Sequence, residues 1–406
     1  MPKKEITDDQ IKAYALKNAV EHEGKAVDKS VLNSLFNEGL DKKDILSVMP
    51  RIAVIVSEVN KMGLELQENM LKELEKNVSH RKVKQEGELP ELPNAKKGVV
   101  MRIAPSVSGP LHLPHAINLS LNYNFVKKYK GKLYVRIEDT NPETVYKPAY
   151  KMIEDEAKWL TKNKAKIVIQ SDNMKNYYKY AENLIKKNKA YVCTCSAEDF
   201  RKLIIKSKAC ECRNLDVKEN MGKWEKMLDK KGFKKGRAVL RFKADLNDKN
   251  PAMRDFPLAR INTTKHPRVG NKYRVWPLMN LAVTVDDIEM KMTHVIRGKD
   301  HKDNAKRQEM IFNSLNKKYP YCVFIGRIHF NDLIMSSTKM RQDIEKGKYS
   351  GWDDERLLTL DSLKKKYKQE VFYEFVEQRG LSEADKIISK KDFLKVLEDI
   401  KKRLEK

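Results

Sequence analysis

An apolar run, Gly98-Val-Val-Met-Arg-Ile-Ala104, enters a turn of serine, glycine and proline at 105–111, and a helical pattern from Ala116 to Lys130 leaves it. Strand, small-residue turn and helix start together form the repeating unit of a parallel sheet covered by helices. The helix start turns unpaired N–H groups and the positive end of a dipole toward the turn, so an anion is the natural ligand. His112 and His115 stand at its mouth. Imidazoles there donate hydrogen bonds to phosphate oxygens as charge builds in a transition state, which points to phosphates that react.

The same rhythm continues along the chain. Strands are predicted at Lys132–Ile137 and Lys166–Gln170, with helices near 146–162 and 174–188. From Tyr191 to Val275 the alternation breaks. It returns with a strand at Thr293–Arg297, a helix at 302–315 and a strand at Tyr321–Ile325. One doubly wound α/β domain, split by an insertion, accounts for this order: 98–190, the inserted 191–275, then 276–330. Residues 1–97 read as a helical domain with a polar linker. Apolar residues recur at helical spacing over Ile6–Val20, Lys29–Phe36 and Ile45–Lys76, and Val78–Lys97 carries Pro90 and Pro93. Residues 331–406 read as helical to the end.

Lys and Arg number 83 against 57 Asp and Glu, a formal charge of +26, which favours a polyanionic partner, above all nucleic acid. No apolar stretch reaches the 18 residues or so that a membrane span needs, and the N-terminus lacks a signal-peptide core, so a cytoplasmic location is expected. Four of five cysteines form two pairs, Cys193-Thr-Cys195 and Cys210-Glu-Cys212, fourteen residues apart. Two such turns can supply a four-sulfur cage, so a structural zinc is predicted, its four protein ligands leaving no open position. Cys322, in an apolar strand, reads as a core residue.

The motifs then become specific. Val100-Met-Arg-Ile-Ala-Pro-Ser, Ser108-Gly-Pro-Leu-His-Leu-Pro-His115, Arg136-Ile-Glu-Asp-Thr-Asn-Pro142, Val285-Asp-Asp287 and Thr293-His-Val-Ile-Arg-Gly-Lys-Asp-His301 resemble, in order and spacing, the archaeal type of class I glutamyl-tRNA synthetase. The resemblance covers essentially the whole chain. It implies a Rossmann-type catalytic domain with an inserted, zinc-containing acceptor-stem domain, a helical N-terminal domain and a helical stem-contact segment. It also implies activation of glutamate by ATP with Mg²⁺ to glutamyl-adenylate, followed by transfer to the tRNA 3′ end. Arg102 matches the arginine that meets the glutamate side-chain carboxylate, and a guanidinium fork suits that task. Glu138 matches the acid that receives the substrate ammonium group. Ser106 belongs to the same pocket, and Arg297 matches a second carboxylate-binding arginine. His112 and His115 match groups around the nucleotide, Lys339 is the cation left to substitute in part for a triphosphate lysine, and Asp255 matches a residue near the tRNA acceptor stem.

Four departures accompany the match. Pro114 stands at a glycine position against adenine, and weaker ATP binding is expected from its ring and missing N–H. The mobile signature loop reads Ile334-Met-Ser-Ser-Thr-Lys339, with Ser337 in place of a lysine on the triphosphate. Met279 replaces a tyrosine of the amino-acid pocket. No match to the β-barrel domains that read the anticodon is expected in these 406 residues, so a separate subunit or a synthetase complex is a candidate partner. Two other functions stay open at this level: an impaired paralogue that binds RNA or protein, and an adenylating enzyme with another acceptor.

Overall fold

The computed structural model of the chain describes residues 6–41, 44–74, 89–95, 98–333 and 336–406. The chain divides into two compact units, Met1–Gln85 and Glu86–Lys406.

The first unit holds α1 (Asp8–Glu21), α2 (Asp28–Asn37), α3 (Ile45–Val59) and α4 (Leu64–Leu74) around a core that includes Ile11, Leu16, Leu35 and Ile52. Thr7 starts α1 with a capping box: its hydroxyl accepts from the Gln10 N–H at 3.2 Å, and the Gln10 side chain accepts from the Thr7 N–H at 3.2 Å. The single helix expected from Ile45 to Lys76 is two, and Glu75 and Lys76 lie outside the described residues. Asn60 is the reason. Its side chain turns to the backbone of Ala26, accepting from the N–H at 2.6 Å and donating to the carbonyl at 3.0 Å, which ends α3.

In the second unit, β1 (Val100–Ile103), α5 (Leu113–Lys128), β2 (Lys132–Ile137), α6 (Ala149–Leu160) and β3 (Ala165–Ile169) alternate, and the three strands are parallel in the order β1-β2-β3. After α7 (Met174–Lys186) comes β4 (Ala190–Cys193), followed by α8 (Ala197–Ile205), α9 (Glu211–Asn214) and α10 (Val217–Leu228). Strands β5 (Val239–Phe242), β6 (Pro257–Ile261) and β7 (Val275–Pro277) complete an antiparallel sheet, β4-β5-β6-β7. Its core contains Trp224, Leu240, Leu258 and Trp276.

The chain returns through α11 (Met279–Glu289) to β8 (His294–Gly298), α12 (Lys302–Ser314) and β9 (Tyr321–Ile325), a second parallel pair. Thr293, just before β8, lies against the start of β1. Its N–H donates to the Val100 carbonyl at 3.0 Å, and its hydroxyl accepts from the Val100 N–H at 2.8 Å. The carboxyl ends of β1, β2 and β8 therefore open on one rim. Beyond it lie β10 (Ile328–Phe330), α13 (Ser337–Glu345), α14 (Leu360–Leu363), α15 (Gln369–Arg379), β11 (Lys386–Ile388) and α16 (Lys390–Leu404). The expectation of helix throughout this last segment needs a correction, because β11 pairs in parallel with β10. Among the described residues no helix is long and apolar enough to cross a membrane.

Candidate active site

The turn after β1 is held from several sides. The Glu138 N–H donates to the Pro105 carbonyl at 2.9 Å, tying the turn to the end of β2. Leu111 and Leu113 bracket His112 and pair with the segment before α14: Leu113 N–H to the Leu358 carbonyl at 3.1 Å, and Leu360 N–H to the Leu111 carbonyl at 2.7 Å. The Leu111 N–H itself donates to Glu156 Oε2 of α6 at 2.5 Å. Thr359, opposite His112, donates its hydroxyl to the Trp352 carbonyl at 2.6 Å. The Trp352 indole lies over Gly109. A Cβ at that glycine would meet the ring at 2.9 Å, so only a glycine lets the ring come this close.

His112 is the N-cap of α5, and its ring stacks on His115 at 4.1 Å between centroids, 12° from parallel. Burial pushes the His112 imidazole down to about 4, and burial followed by the neighbouring His112 holds His115 well below 6.5. Both rings are therefore neutral near pH 7 and act as hydrogen-bonding groups rather than cations. Pro114 is exposed in the first turn of α5, where a backbone N–H has no helical partner, and α5 accommodates it.

A charged cluster occupies the rim. Arg102 leaves β1 and grips Asp287 of α11 with Nε to Oδ1 at 3.1 Å and Nη2 to Oδ2 at 3.0 Å. Arg136 of β2, fully enclosed, donates from Nη1 to Asp287 Oδ1 at 2.6 Å and from Nη2 to Glu138 Oε1 at 3.4 Å. Its Nε lies 3.5 Å from Asp286. Asp286 also accepts from Gln170 at 2.8 Å, Asn173 at 2.7 Å and Tyr177 at 2.8 Å.

Arg297, at the end of β8, donates Nη1 to Gln308 at 2.8 Å, and Gln308 donates to Asn280 at 3.3 Å. Arg297 Nε is buried without a partner among the described residues. Burial first, then the nearby Arg102, lower the Arg297 pKa, and burial and Arg297 do the same to His301. Arg102 and Arg136 are paired with acids, whereas Arg297 has no carboxylate in direct contact among the described residues. The Glu138 side chain keeps 22% exposure, and burial pushes its carboxyl up despite Arg136 and Arg102. Ser106 forms a bridge with Glu138, and its hydroxyl lies 3.3 Å from that of Ser108. Met279 is the half-buried first residue of α11, next to Asn280.

Of the signature loop, Ile334 and Met335 lie outside the described residues. Ser336 caps α13, with its hydroxyl 3.4 Å from the Lys339 N–H. Ser337 is buried against the Gly109 turn, and Lys339 is exposed. Met340, Trp352 and Leu357 form the apolar cluster on which α13 rests.

The sulfurs of Cys193, Cys195, Cys210 and Cys212 lie within 4.8 Å of one another. Cys193 to Cys210 is 4.0 Å and Cys195 to Cys212 is 3.9 Å. Tetrahedral zinc with bonds of about 2.3 Å spaces its sulfurs by about 3.8 Å. The set fits such an ion, and the Thr194 N–H donates to Cys212 at 3.4 Å, a contact that steadies a thiolate. Asp255 lies in the inserted segment. Its side chain is sealed and accepts from the Tyr191 hydroxyl at 2.7 Å, Arg213 Nε at 2.9 Å and the Ala244 N–H at 2.8 Å. These contacts tie β4 to the segments that carry Arg213 and Ala244.

Sequence reasoning drew Arg102, Ser106, Glu138 and Arg297 from distant segments, and the structure brings them to one rim. It assigned no role to Asp287, Gln308, Glu156 or Trp352. Only Asp287 carried a signal, as an acid inside the apolar helix Met279–Glu289.

Residues 98–402 match the family described as tRNA synthetases class I (E and Q), catalytic domain. The chain is similar to the glutamate–tRNA ligase of Methanocaldococcus jannaschii, 43% identical over 380 residues that cover 93% of this chain and 68% of that protein. The glutamate–tRNA ligase of Pyrococcus furiosus is 42% identical over 387 residues, with 93% and 67% covered. The crystal structure of the glutamate-tRNA synthetase from Elizabethkingia anophelis aligns with a TM-score of 0.50 at 19% identity, over 75% of this chain and 70% of that one, which shows a common fold. The strand–turn–helix rim, the family match over residues 98–402 and the archaeal relatives agree, and the chain belongs to the class I tRNA synthetases of the glutamyl and glutaminyl group.

Proposed function

We propose that the chain is a glutamate–tRNA ligase. A carboxylate oxygen of glutamate attacks the α-phosphorus of ATP, pyrophosphate leaves, and glutamyl-adenylate forms. A ribose hydroxyl at the tRNA 3′ end then attacks the acyl carbon, and AMP leaves. No covalent enzyme intermediate is needed, so positioning and electrostatics carry the catalysis.

The observation that carries this reading is the pair of guanidinium groups at the ends of adjacent strands, opposite an acid. Arg102 has its Nη1 edge without a partner among the described residues, and Arg297 has an unpartnered Nε. In this reading Arg102 receives the side-chain carboxylate, Arg297 supplies a second carboxylate contact, and Glu138 with Ser106 receives the ammonium group. Met279 lines the same pocket. An incoming carboxylate brings Arg297 the direct counter-charge it lacks among the described residues. Neutral His112 and His115 offer hydrogen bonds to the triphosphate at the start of α5, and Lys339 offers a cation from α13, where Ser337 has none. Mg²⁺ enters with ATP as part of the substrate.

The strands β3-β2-β1-β8-β9 are read as one doubly wound, Rossmann-type sheet whose ligand crevice opens at the carboxyl ends of β1 and β8. The boundaries 98–190, 191–275 and 276–330 then separate its halves from an acceptor-stem domain, with 1–97 and 331–406 as helical flanks. The four cysteines would hold a structural zinc in the inserted domain. The net charge of +26 suits tRNA, and translation places the enzyme in the cytoplasm.

Glutamate-dependent exchange between ATP and pyrophosphate, measured with and without glutamate-accepting tRNA, tests the reading. Exchange that needs glutamate and rises with tRNA is expected. Folded, zinc-loaded protein that stays silent with that tRNA would overturn it.

A further inference from the structure

We propose that Asp287, backed by Arg136, is a positioning residue that fixes Arg102 relative to Glu138 and so measures the length of the amino acid. The proposal rests on the roles given above to Arg102 and Glu138.

The two groups assigned to opposite ends of the substrate are joined by a continuous chain of charged contacts. Asp287 is 2% exposed, and its Oδ1 is shared between Arg102 Nε and Arg136 Nη1 while its Oδ2 takes Arg102 Nη2. A guanidinium held through Nε and one Nη has a fixed plane and presents one remaining edge in one direction. Asp287 therefore decides where the Nη1 edge of Arg102 points. Arg136 relays that placement to the other end, because its second Nη reaches Glu138 at 3.4 Å. Arg136 cannot drift, since it is wholly buried and also faces Asp286, which Gln170, Asn173 and Tyr177 hold in turn.

The charges argue in the same direction. Arg102, Arg136 and Asp287 are each 4% exposed or less, so none relies on bulk water for its charge balance. An arginine meant only to stabilise the fold would be expected to spend its whole donor fork. Arg102 spends one side of it and keeps the other free beside a second positive group, Arg297. A carboxylate that reaches this edge meets a donor whose orientation was set before binding. An amino acid one methylene shorter, or one with a neutral amide, finds the same fixed edge in the wrong place or with the wrong charge.

The test measures KM and kcat separately for glutamate, aspartate and glutamine in tRNA-supported pyrophosphate exchange. It uses the whole chain and Asp287→Asn, with thermal unfolding of each protein. Asp287→Asn keeps the shape but removes the charge that orients Arg102. The expected result is a KM for glutamate raised roughly tenfold or more, an unchanged KM for ATP and a loss of preference for glutamate over aspartate and glutamine. Asp286→Asn loosens Arg136 without touching Arg102, so it should lower the unfolding midpoint and weaken the preference clearly less than Asp287→Asn does.

If Asp287→Asn only lowers stability and kcat, with KM for glutamate and the preference unmoved, the proposal is overturned. Equal loss of preference in Asp286→Asn overturns it as well. Should Asp287→Asn fail to fold, Asp287→Glu keeps the charge and moves it by one methylene. A glutamate-to-aspartate ratio changed roughly threefold or more then supports the proposal, and an unchanged ratio overturns it. Arg102→Ala separates the two levels. If it leaves KM for glutamate unchanged, the assignment of Arg102 itself fails and takes the proposal with it. If it raises KM while Asp287→Asn and Asp287→Glu do not, only the proposal fails.

Discussion

At the scale of single residues, Glu156 shows how a buried acid can serve a site it never touches. Burial pushes its carboxyl up to about 8 from an ordinary 4.5, and its Oε2 holds the Leu111 N–H beside His112. Because the folded value lies above the unfolded one, the stability this group contributes is complete below about pH 4.5 and is lost as pH rises toward 8. Within that window the loss is at most about 1.4 kcal/mol per pH unit. Glu156→Gln keeps an acceptor for Leu111 and removes the titration. Thermal unfolding from about pH 6 to 8.5 should show the midpoint of the parent falling more steeply than that of the variant. Parallel slopes would mean that Glu156 does not titrate in this range. Glu156 was invisible in the sequence, where it looks like any acid on an amphipathic helix. Arg102, Glu138 and Arg297 were legible through motifs that resemble the glutamyl-tRNA synthetases, which give each of them a task. Asp287, which joins Arg102 to Arg136, could be named only as part of a motif, since nothing local says which two arginines a buried acid will join.

At the scale of elements, the nucleotide turn and α13 are one assembly. Trp352 covers Gly109, and Met340, Trp352 and Leu357 form the support of α13, which carries Ser337 and Lys339. Gly109→Ala places a methyl inside contact distance of the indole and forces the ring away. The KM for ATP should rise roughly threefold to tenfold with little change in KM for glutamate, and Trp352→Phe, a smaller ring, should recover part of the loss. No recovery in the double variant would place the damage elsewhere in the turn. The sequence made β1, α5, β2, α6 and α7 legible to within a few residues: α6 and α7 bury one regular face, while β1, α5 and much of β2 are buried in continuous runs. Periodicity failed at Asn60, where a side chain competes with the helix, and at the β10–β11 pair. A strand of three residues carries no period to read.

At the scale of the whole second unit, the inserted antiparallel sheet is held by two kinds of link. Asp255 closes it through three donors, and the cysteine set lies where β4 ends. If the cysteines hold zinc, purified protein should contain about one equivalent per chain, and Cys193→Ser should lower that content and the unfolding midpoint. Metal analysis by mass spectrometry, paired with calorimetry, checks both. A parent chain without zinc that unfolds at the same temperature with and without a chelator would rule the cage out. Spacing alone suggested the cage, because two Cys-x-Cys turns need only come face to face. The sealing of Asp255 was not legible, since it depends on Tyr191, Arg213 and Ala244 arriving from three other segments.

The pairing of residues 111–113 with 358–360 has a further consequence for how the protein is made. The turn around His112 emerges from the ribosome long before its partners Leu358 and Leu360 exist. At on the order of 5–20 residues per second, the intervening length takes roughly ten to fifty seconds to translate. During that interval the nascent chain has both histidines but lacks the segment that pins them. A polypeptide whose synthesis stalls before residue 357 would leave the His112 turn without these two backbone bonds, however well β1 to β9 had already folded.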